Sequence, residues 1–231
     1  MQRVLTPELL DDPALDESLH QAAYAGLRRI NTWSRTASYL RRELSRIAAH
    51  RSLTELRVLD VACGSGDMAR SLAARPLAGG VRLEVDGCDI SPAAVEQAQQ
   101  LADRAGQTGT RFYVHDALAA PFPHRYDVVL CTLFLHHMTE SQGVALFRQM
   151  AAAAEAAVLV DDLIRSRIGY WLAWTGCRIL SRSTIVHNDG PVSVRGAFTP
   201  EEAVALAAEA GLPGARCKLH WPQRYLLTWE A

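Results

Sequence analysis

Hydrophobic and polar residues follow two different periods along the chain. Residues 1 to about 56 carry apolar side chains near a 3.6-residue period, which predicts helices, with a second helical run from Tyr39 to Ala49. From Val58 onward, short apolar runs alternate with amphipathic stretches. They predict strands at 57–62, 82–88, 110–115, 126–131 and 157–161, and helices at 66–75, 91–105, 141–154 and 200–211.

Strands that alternate with helices in this way predict a doubly wound α/β sheet, mostly parallel, with helices on both faces. Ser91-Pro92 and Thr199-Pro200 each supply an N-cap residue followed by proline at the first helical position. Residues 216–220 and 225–230 predict a closing hairpin at the sheet edge. We expect ligands at the carboxyl ends of the parallel strands.

Composition limits the classes of protein to consider. The 231 residues are 49% hydrophobic and 21% charged, with a formal net charge of -1, so we expect one domain with an attached cap and no nucleic-acid partner. The five cysteines are widely spaced and form no Cys-x-x-Cys pair, which predicts neither disulfides nor a metal site and favours the reducing cytoplasm.

Membrane insertion and export are not predicted either. The first twelve residues include Glu8, Asp11 and Asp12, at positions where a signal peptide needs an apolar core. The longest apolar stretch, 168–180, contains Arg178 and is too short to span a bilayer. The sequence leaves the oligomeric state open, a homodimer included.

The stretch VLDVACGSGDMA, residues 58–69, predicts a strand, a tight turn and the start of a helix. Glycine at 64 and 66 lets backbone N–H groups approach a ligand that a Cβ atom would keep away. Asp60 places a carboxylate beside this turn, where it would repel a pyrophosphate and attract a cofactor ammonium group. A Gly-x-Gly pair alone is a weak signal, because many turns use glycine only for its backbone freedom.

Three further strand ends carry polar residues. Asp89 ends the second strand, 23 residues after Gly66, where an acidic side chain can accept from ribose hydroxyls. Asp116 ends the third strand, and a carboxylate there can accept from the amine of an adenine. The fourth strand runs into His136-His137, and the fifth ends in Asp161-Asp162. Each residue alone fits a cap or a turn, but together they predict a nucleotide-type site.

These segments resemble the class I S-adenosylmethionine-dependent methyltransferases, in particular the small-molecule branch that includes the ubiquinone and menaquinone biosynthesis enzymes. The signatures are VLDVACGSGDMA, CDIS, HDALAAPFP and YDVVLCTLFLHHM. The resemblance is strong over 56–162 and looser over 197–231. It implies a Rossmann-like, seven-stranded sheet with one antiparallel strand, and S-adenosyl-L-methionine as cofactor, with S-adenosyl-L-homocysteine as product.

The resemblance also implies where the cofactor lies. Its methionine part would contact the turn after the first strand, its ribose the end of the second strand, and its adenine the end of the third. The fourth strand end would complete the pocket. The predicted cofactor-binding residues are Asp60, Ala62, Cys63, Gly64, Gly66, Asp89, Ile90, Asp116, Ala117, Thr132 and Leu133.

For methyl transfer, the protein must hold the nucleophile in line with the S–CH3 bond and exclude water. It must also remove a proton if the nucleophile is neutral. His136 and His137 are the candidate bases, although they could simply pack around the cofactor. We predict O-methylation of a hydrophobic, phenolic or polyketide-type small molecule. The alternatives are C-methylation of a quinone or aromatic ring, an RNA or protein methyltransferase, and a non-catalytic cofactor-binding protein.

Two variable regions are expected to select the acceptor: a helical N-terminal arm over 1–50 and an insert over 163–197 that follows the core of 56–162. The remainder, 198–231, would close the fold. In the insert, 164–179 has helical spacing with two indoles, and 187–191 predicts a turn. The candidate substrate-binding residues are Asn31, Trp33, Arg165, Tyr170, Trp174 and Arg195.

Overall fold

The computed structural model describes residues 1–11, 15–107 and 109–231. Within these ranges the strands lie close to their predicted positions. They are β1 Glu55–Val61, β2 Arg82–Asp89, β3 Phe112–Val114, β4 Tyr126–Thr132, β5 Ala154–Leu163, β6 Arg216–His220 and β7 Arg224–Glu230. The helices are α1 Glu17–Ser34, α2 Thr36–His50, α3 Asp67–Ala73, α4 Pro92–Arg104, α5 Glu140–Ala153, α6 Arg167–Leu180, α7 Thr184–Gly196 and α8 Pro200–Glu209.

The seven strands form one sheet in the order β3-β2-β1-β4-β5-β7-β6. Strands β1 to β5 pair in parallel, and β7 pairs antiparallel with both β5 and β6. The prediction of a doubly wound sheet with a single antiparallel strand is therefore confirmed. Because the order reverses between β1 and β4, their carboxyl ends open a crevice at the centre of the sheet.

Both faces of the sheet are covered by helices. On one face, Leu40, Leu44 and Ile47 of α2 follow a helical spacing and pack, fully buried, against β1 and β4. On the other, Phe147 and Met150 of α5 pack together with α8. The central strands are buried on both faces, so β1 and β4 are nearly continuous apolar runs, as expected for parallel strands.

The N-terminal region is helical only in part. Helices α1 and α2 match the predicted arm and meet at Arg35, whose φ is 58°. Residues 1–8 are not helical, and a single 3-10 turn covers Leu9–Asp11. Hydrogen bonds to other elements hold this segment, including one from Val4 N to Arg195 O at 3.0 Å, so the prediction of helix from residue 1 is wrong there. We call residues 1–11 the strap.

The insert also differs from prediction in its second half. Helix α6 matches the predicted helical run, but 187–191 lies inside helix α7, so the predicted turn is wrong. Tertiary contacts outweigh the local turn signals: Asp189 is buried, and its carboxylate accepts from the backbone N–H groups of Leu9 and Leu10. No helix in the described ranges is long and apolar enough to cross a membrane.

Candidate active site

The turn after β1 adopts the backbone conformation that its glycines suggest. Gly64 and Gly66 have φ of 53° and 72°, and Ala62 shares this left-handed region at 55°. A Cβ atom on Gly66 would lie 2.7 Å from the Phe112 ring, so only glycine fits. Leu133, after β4, also has a positive φ, of 53°. Such strained non-glycine residues are uncommon and concentrate at functional sites.

Asp60 lies under this turn. It is fully buried, and neither of its carboxylate oxygens has a hydrogen-bond partner among the described residues. Burial raises its pKa to about 7, and the nearby Asp89 carboxylate adds to this shift. An unpaired buried carboxylate is costly unless a cationic group approaches it. The turn therefore suits a ligand that carries positive charge.

The ends of β2 and β3 order the loops beside the turn. Asp89 accepts from the backbone N–H groups of Gly64 at 2.8 Å and Ser91 at 2.9 Å, which ties the two loops together. Ile90 is 65% exposed. Asp116 accepts from the Leu118 N–H at 2.9 Å, and Ala117 is buried.

A cavity of about 520 Å3 opens from this turn toward the helices. It joins the ends of β1 and β4 to the inner faces of α1, α6 and α7. Its lining includes five predicted cofactor residues, both histidines and two predicted substrate residues: Ala62, Cys63, Gly64, Thr132, Leu133, His136, His137, Asn31 and Trp33. Asp60, Gly66, Asp89, Ile90, Asp116 and Ala117 lie outside the lining.

His136 is fixed by the end of β5. Its Nδ1 lies 2.7 Å from Asp162 Oδ1, and its backbone N–H donates to Asp162 Oδ2 at 3.0 Å. Both residues are buried. The sequence predicts a strand end at Asp161-Asp162 but no role for Asp162, because nothing local shows that β5 meets the loop after β4.

Glu8 completes this group and was not predicted. Its carboxylate lies 3.6 Å from His136 Nε2 and 3.9 Å from His137 Nε2, and it also accepts from the Ser193 hydroxyl. The two imidazole rings are 4.3 Å apart. Only 11% of the Glu8 side chain is exposed, and it lines the cavity. The sequence held no signal for it, since Glu8 and His136 are far apart in the chain.

The charges in this group stabilise one another. Burial alone would lower the pKa of His136, but Asp162 and Glu8 outweigh it and raise that pKa to about 10. Burial would likewise raise the pKa of each carboxyl, yet His136 holds the pKa of both Glu8 and Asp162 below its ordinary value. At neutral pH the group is thus an imidazolium between two carboxylates.

Glu8, His136 and His137 also place one ligand atom each within 4.8 Å of one another, close enough to hold a metal ion. The sequence predicted no metal, and that expectation stays a prediction. The ion pairs already give these side chains partners.

Two of the six predicted substrate residues line the cavity, and the other four do not. Asn31 and Trp33 line the cavity, whereas Arg165, Tyr170, Trp174 and Arg195 do not. Arg165 forms an ion pair with Glu202 and donates to the carbonyl of Ala197 at 2.9 Å, so it stabilises the fold. Helix α6 instead presents Gly169, Leu172, Ala173, Gly176, Cys177 and Leu180 to the cavity.

A buried cation of the cavity wall was also missed. Arg224 of β7 is 3% exposed and donates to Thr36 Oγ1 at 2.7 Å and Asn31 Oδ1 at 3.1 Å. Its guanidinium lies 3.8 Å from Asp161, which itself lies 2.5 Å from His220 Nε2. This network orients Asn31 toward the cavity. The pairing of β7 with β5 and β6 brings Asp161, Arg224 and His220 together, and the packing of α1 and α2 adds Asn31 and Thr36.

Known proteins share this sequence pattern and fold. Residues 58–156 match the family model described as a methyltransferase domain. A ubiquinone biosynthesis O-methyltransferase from Nitrosospira multiformis is 31% identical over 176 residues, which cover 73% of this chain and 67% of that protein. The chain spans between about half and two thirds of the length of the curated relatives it matches.

Two solved structures show the same fold. The methyltransferase SibL in its apo form has a TM-score of 0.70 at 20% identity, covering 98% of this chain and 63% of that one. An O-methyltransferase family 2 protein from Planctomyces limnophilus, in complex with apigenin, has a TM-score of 0.66 at 18% identity, covering 95% and 63%. The chain belongs to the class I S-adenosylmethionine-dependent methyltransferases.

Proposed function

We propose that this protein transfers a methyl group from S-adenosylmethionine to a hydroxyl oxygen of a hydrophobic small molecule, of phenolic or polyketide type. One observation carries the proposal: a single cavity joins the glycine turn after β1 to the buried group formed by His136 and Asp162. The O-methyltransferase relatives and the apigenin complex of a structural neighbour support an oxygen acceptor.

The residues present fit this cofactor. The unpaired carboxylate of Asp60 suits the charge of a molecule with an ammonium and a sulfonium group. Ala62, Cys63 and Gly64 would hold its methionine part, Asp89 and Ile90 its ribose, and Asp116 and Ala117 its adenine. Thr132 and Leu133 would close the pocket from β4. When bound, the cofactor supplies an electrophilic methyl group and keeps the bonding electron pair on sulfur.

The remaining cavity wall suits an apolar acceptor with few polar groups. Leu27, Ile30, Trp33, Leu172 and Leu180 line it, and His136, His137 and Asn31 are among the polar residues of the lining. Apolar walls exclude water and bind a ring or chain, while the polar groups orient one hydroxyl. We propose that His136, His137 and the carboxylates beside them form the group that binds that hydroxyl and takes up its proton.

The test is a panel of phenols and polyketides incubated with the protein and methyl-labelled cofactor. We expect label on oxygen for at least one hydrophobic acceptor, and none when His136 and His137 are both replaced by asparagine. Calorimetry with S-adenosylhomocysteine should show binding for both proteins. We expect a chelator to leave turnover unchanged, because no metal is predicted to take part in the reaction. Label on carbon alone, or no binding of S-adenosylhomocysteine, would contradict the proposal.

A further inference from the structure

The strap brings a carboxylate into the cavity from a part of the chain that the methyltransferase core does not include. Glu8 is the strap residue that faces His136, at 3.6 Å. This distance is longer than a hydrogen bond. A hydroxyl oxygen placed beside both groups could accept from His136 Nε2–H and donate its own proton to Glu8.

We propose that Glu8 is a catalytic residue and the direct acceptor of the hydroxyl proton. The inference rests on the proposed function. The proton moves from the hydroxyl oxygen to a carboxylate oxygen of Glu8, which becomes a carboxylic acid, and the oxygen keeps the electron pair with which it attacks the methyl group. After product release Glu8 returns the proton to solvent. His136 keeps its own proton and stabilises the negative charge on the oxygen.

The surroundings of His136 favour this division of roles. Asp162 of β5 occupies its Nδ1 side at 2.7 Å, and Glu8 faces its Nε2 side. An imidazolium between two carboxylates has no lone pair with which to accept a proton. Glu8 does have free lone pairs, although it also faces His137 and accepts from Ser193. His136 lowers the pKa of Glu8, so Glu8 takes the proton only because the same imidazolium stabilises the oxyanion that forms.

The strap is anchored at both ends of the segment that carries Glu8. Arg3 donates to the carbonyl oxygens of Gly196 at 2.6 Å and Met138 at 2.5 Å, and its guanidinium lies 3.7 Å from the Phe198 ring centroid. On the other side of Glu8, Asp189 accepts from Leu9 N at 2.9 Å and Leu10 N at 3.0 Å. These contacts fix the position of the Glu8 carboxylate, and Glu8 and Leu10 of the strap form part of the cavity wall.

The first test is Glu8→Gln, which keeps size and hydrogen bonding but cannot accept the proton. We expect kcat to fall on the order of 100-fold, with little change in KM or in S-adenosylhomocysteine binding, and partial recovery in Glu8→Asp. Glu201→Gln, on the exposed surface of α8, is the matched control and should behave as wild type. Full kcat in Glu8→Gln would overturn the inference.

The second variant distinguishes the chemical role of the Glu8 carboxylate from the structural role of the strap as a cover over the cavity. Asp189→Asn weakens the strap anchor and keeps Glu8, so its kcat should lie between wild type and Glu8→Gln. If Asp189→Asn is the more damaging, the strap acts as a cover only and the inference is wrong.

A third measurement needs no acceptor. NMR titration of the His136 ring should show its pKa falling toward the ordinary value in Glu8→Gln, because one facing carboxylate is lost. An unchanged pKa would mean that Glu8 does not face His136 in solution, and the inference fails. If the pKa falls but the wild type labels no acceptor, the contact stands and the proposed function fails.

Discussion

The cofactor side and the acceptor side of the cavity are assembled differently. On the cofactor side, the turns after β1 and β4 each contribute residues that are neighbours in sequence, such as Ala62, Cys63 and Gly64. On the acceptor side, the lining comes from the strap, α1, α6, α7 and β7, which are far apart in the chain. The first side is therefore built by local backbone geometry on a rigid sheet. The second depends on packing between distant segments, and it can change while the sheet stays the same.

The acceptor side gives the largest expected effect. His136→Asn should lower kcat by about 10²- to 10⁴-fold, because the charge facing the acceptor oxygen is lost. S-adenosylhomocysteine binding should stay near wild type, since the turn after β1 is untouched. Steady-state kinetics and calorimetry on the same preparations measure both quantities. Equal losses of binding and turnover would show that the two sides of the cavity do not act separately.

A substitution on the cofactor side should instead weaken the binding of S-adenosylhomocysteine. Asp89→Ala removes the acceptor for Gly64 N–H and the proposed ribose contact, so S-adenosylhomocysteine should bind about 10- to 100-fold more weakly, as expected for loss of hydrogen bonds to a charged group. Glu84→Gln, on an exposed position of the same strand, is the control. Wild-type affinity in Asp89→Ala would contradict the ribose assignment.

The smallest effect concerns stability against pH. The pKa of His136 is raised from 6.5 to about 10, so its ion pairs stabilise the fold fully below about pH 6.5, and this contribution is lost as the pH rises through about 10. Urea unfolding from neutral to alkaline pH should show a decline in the free energy of unfolding. His136→Asn should lack that part of the decline. Identical slopes in the two proteins would mean that the ion pairs contribute nothing to stability.

The same difference between the two sides determines which elements are predictable from the sequence. Residues 58–69 and the strand ends at Asp89 and His136 could be recognised because parallel strands place their carboxyl ends at one edge of the sheet, whatever the helices do. The turn predicted at 187–191 failed because Asp189 is held inside α7 by the strap. Arg165 was a candidate because it lies in the insert, and its ion pair with Glu202 of α8 could not be predicted from the sequence.

The sequence by itself determined which segments form strands and helices along the chain, the mostly parallel sheet and the glycine turn, because hydrophobic period and turn chemistry are local properties. Only the tertiary structure decided that Glu8, His136 and Asp162 form one group. Their chain separations, such as 26 residues between His136 and Asp162, are bridged by the pairing of β4 with β5 and by the docking of the strap on α7. Long-range packing of this kind leaves no periodic signal in the sequence.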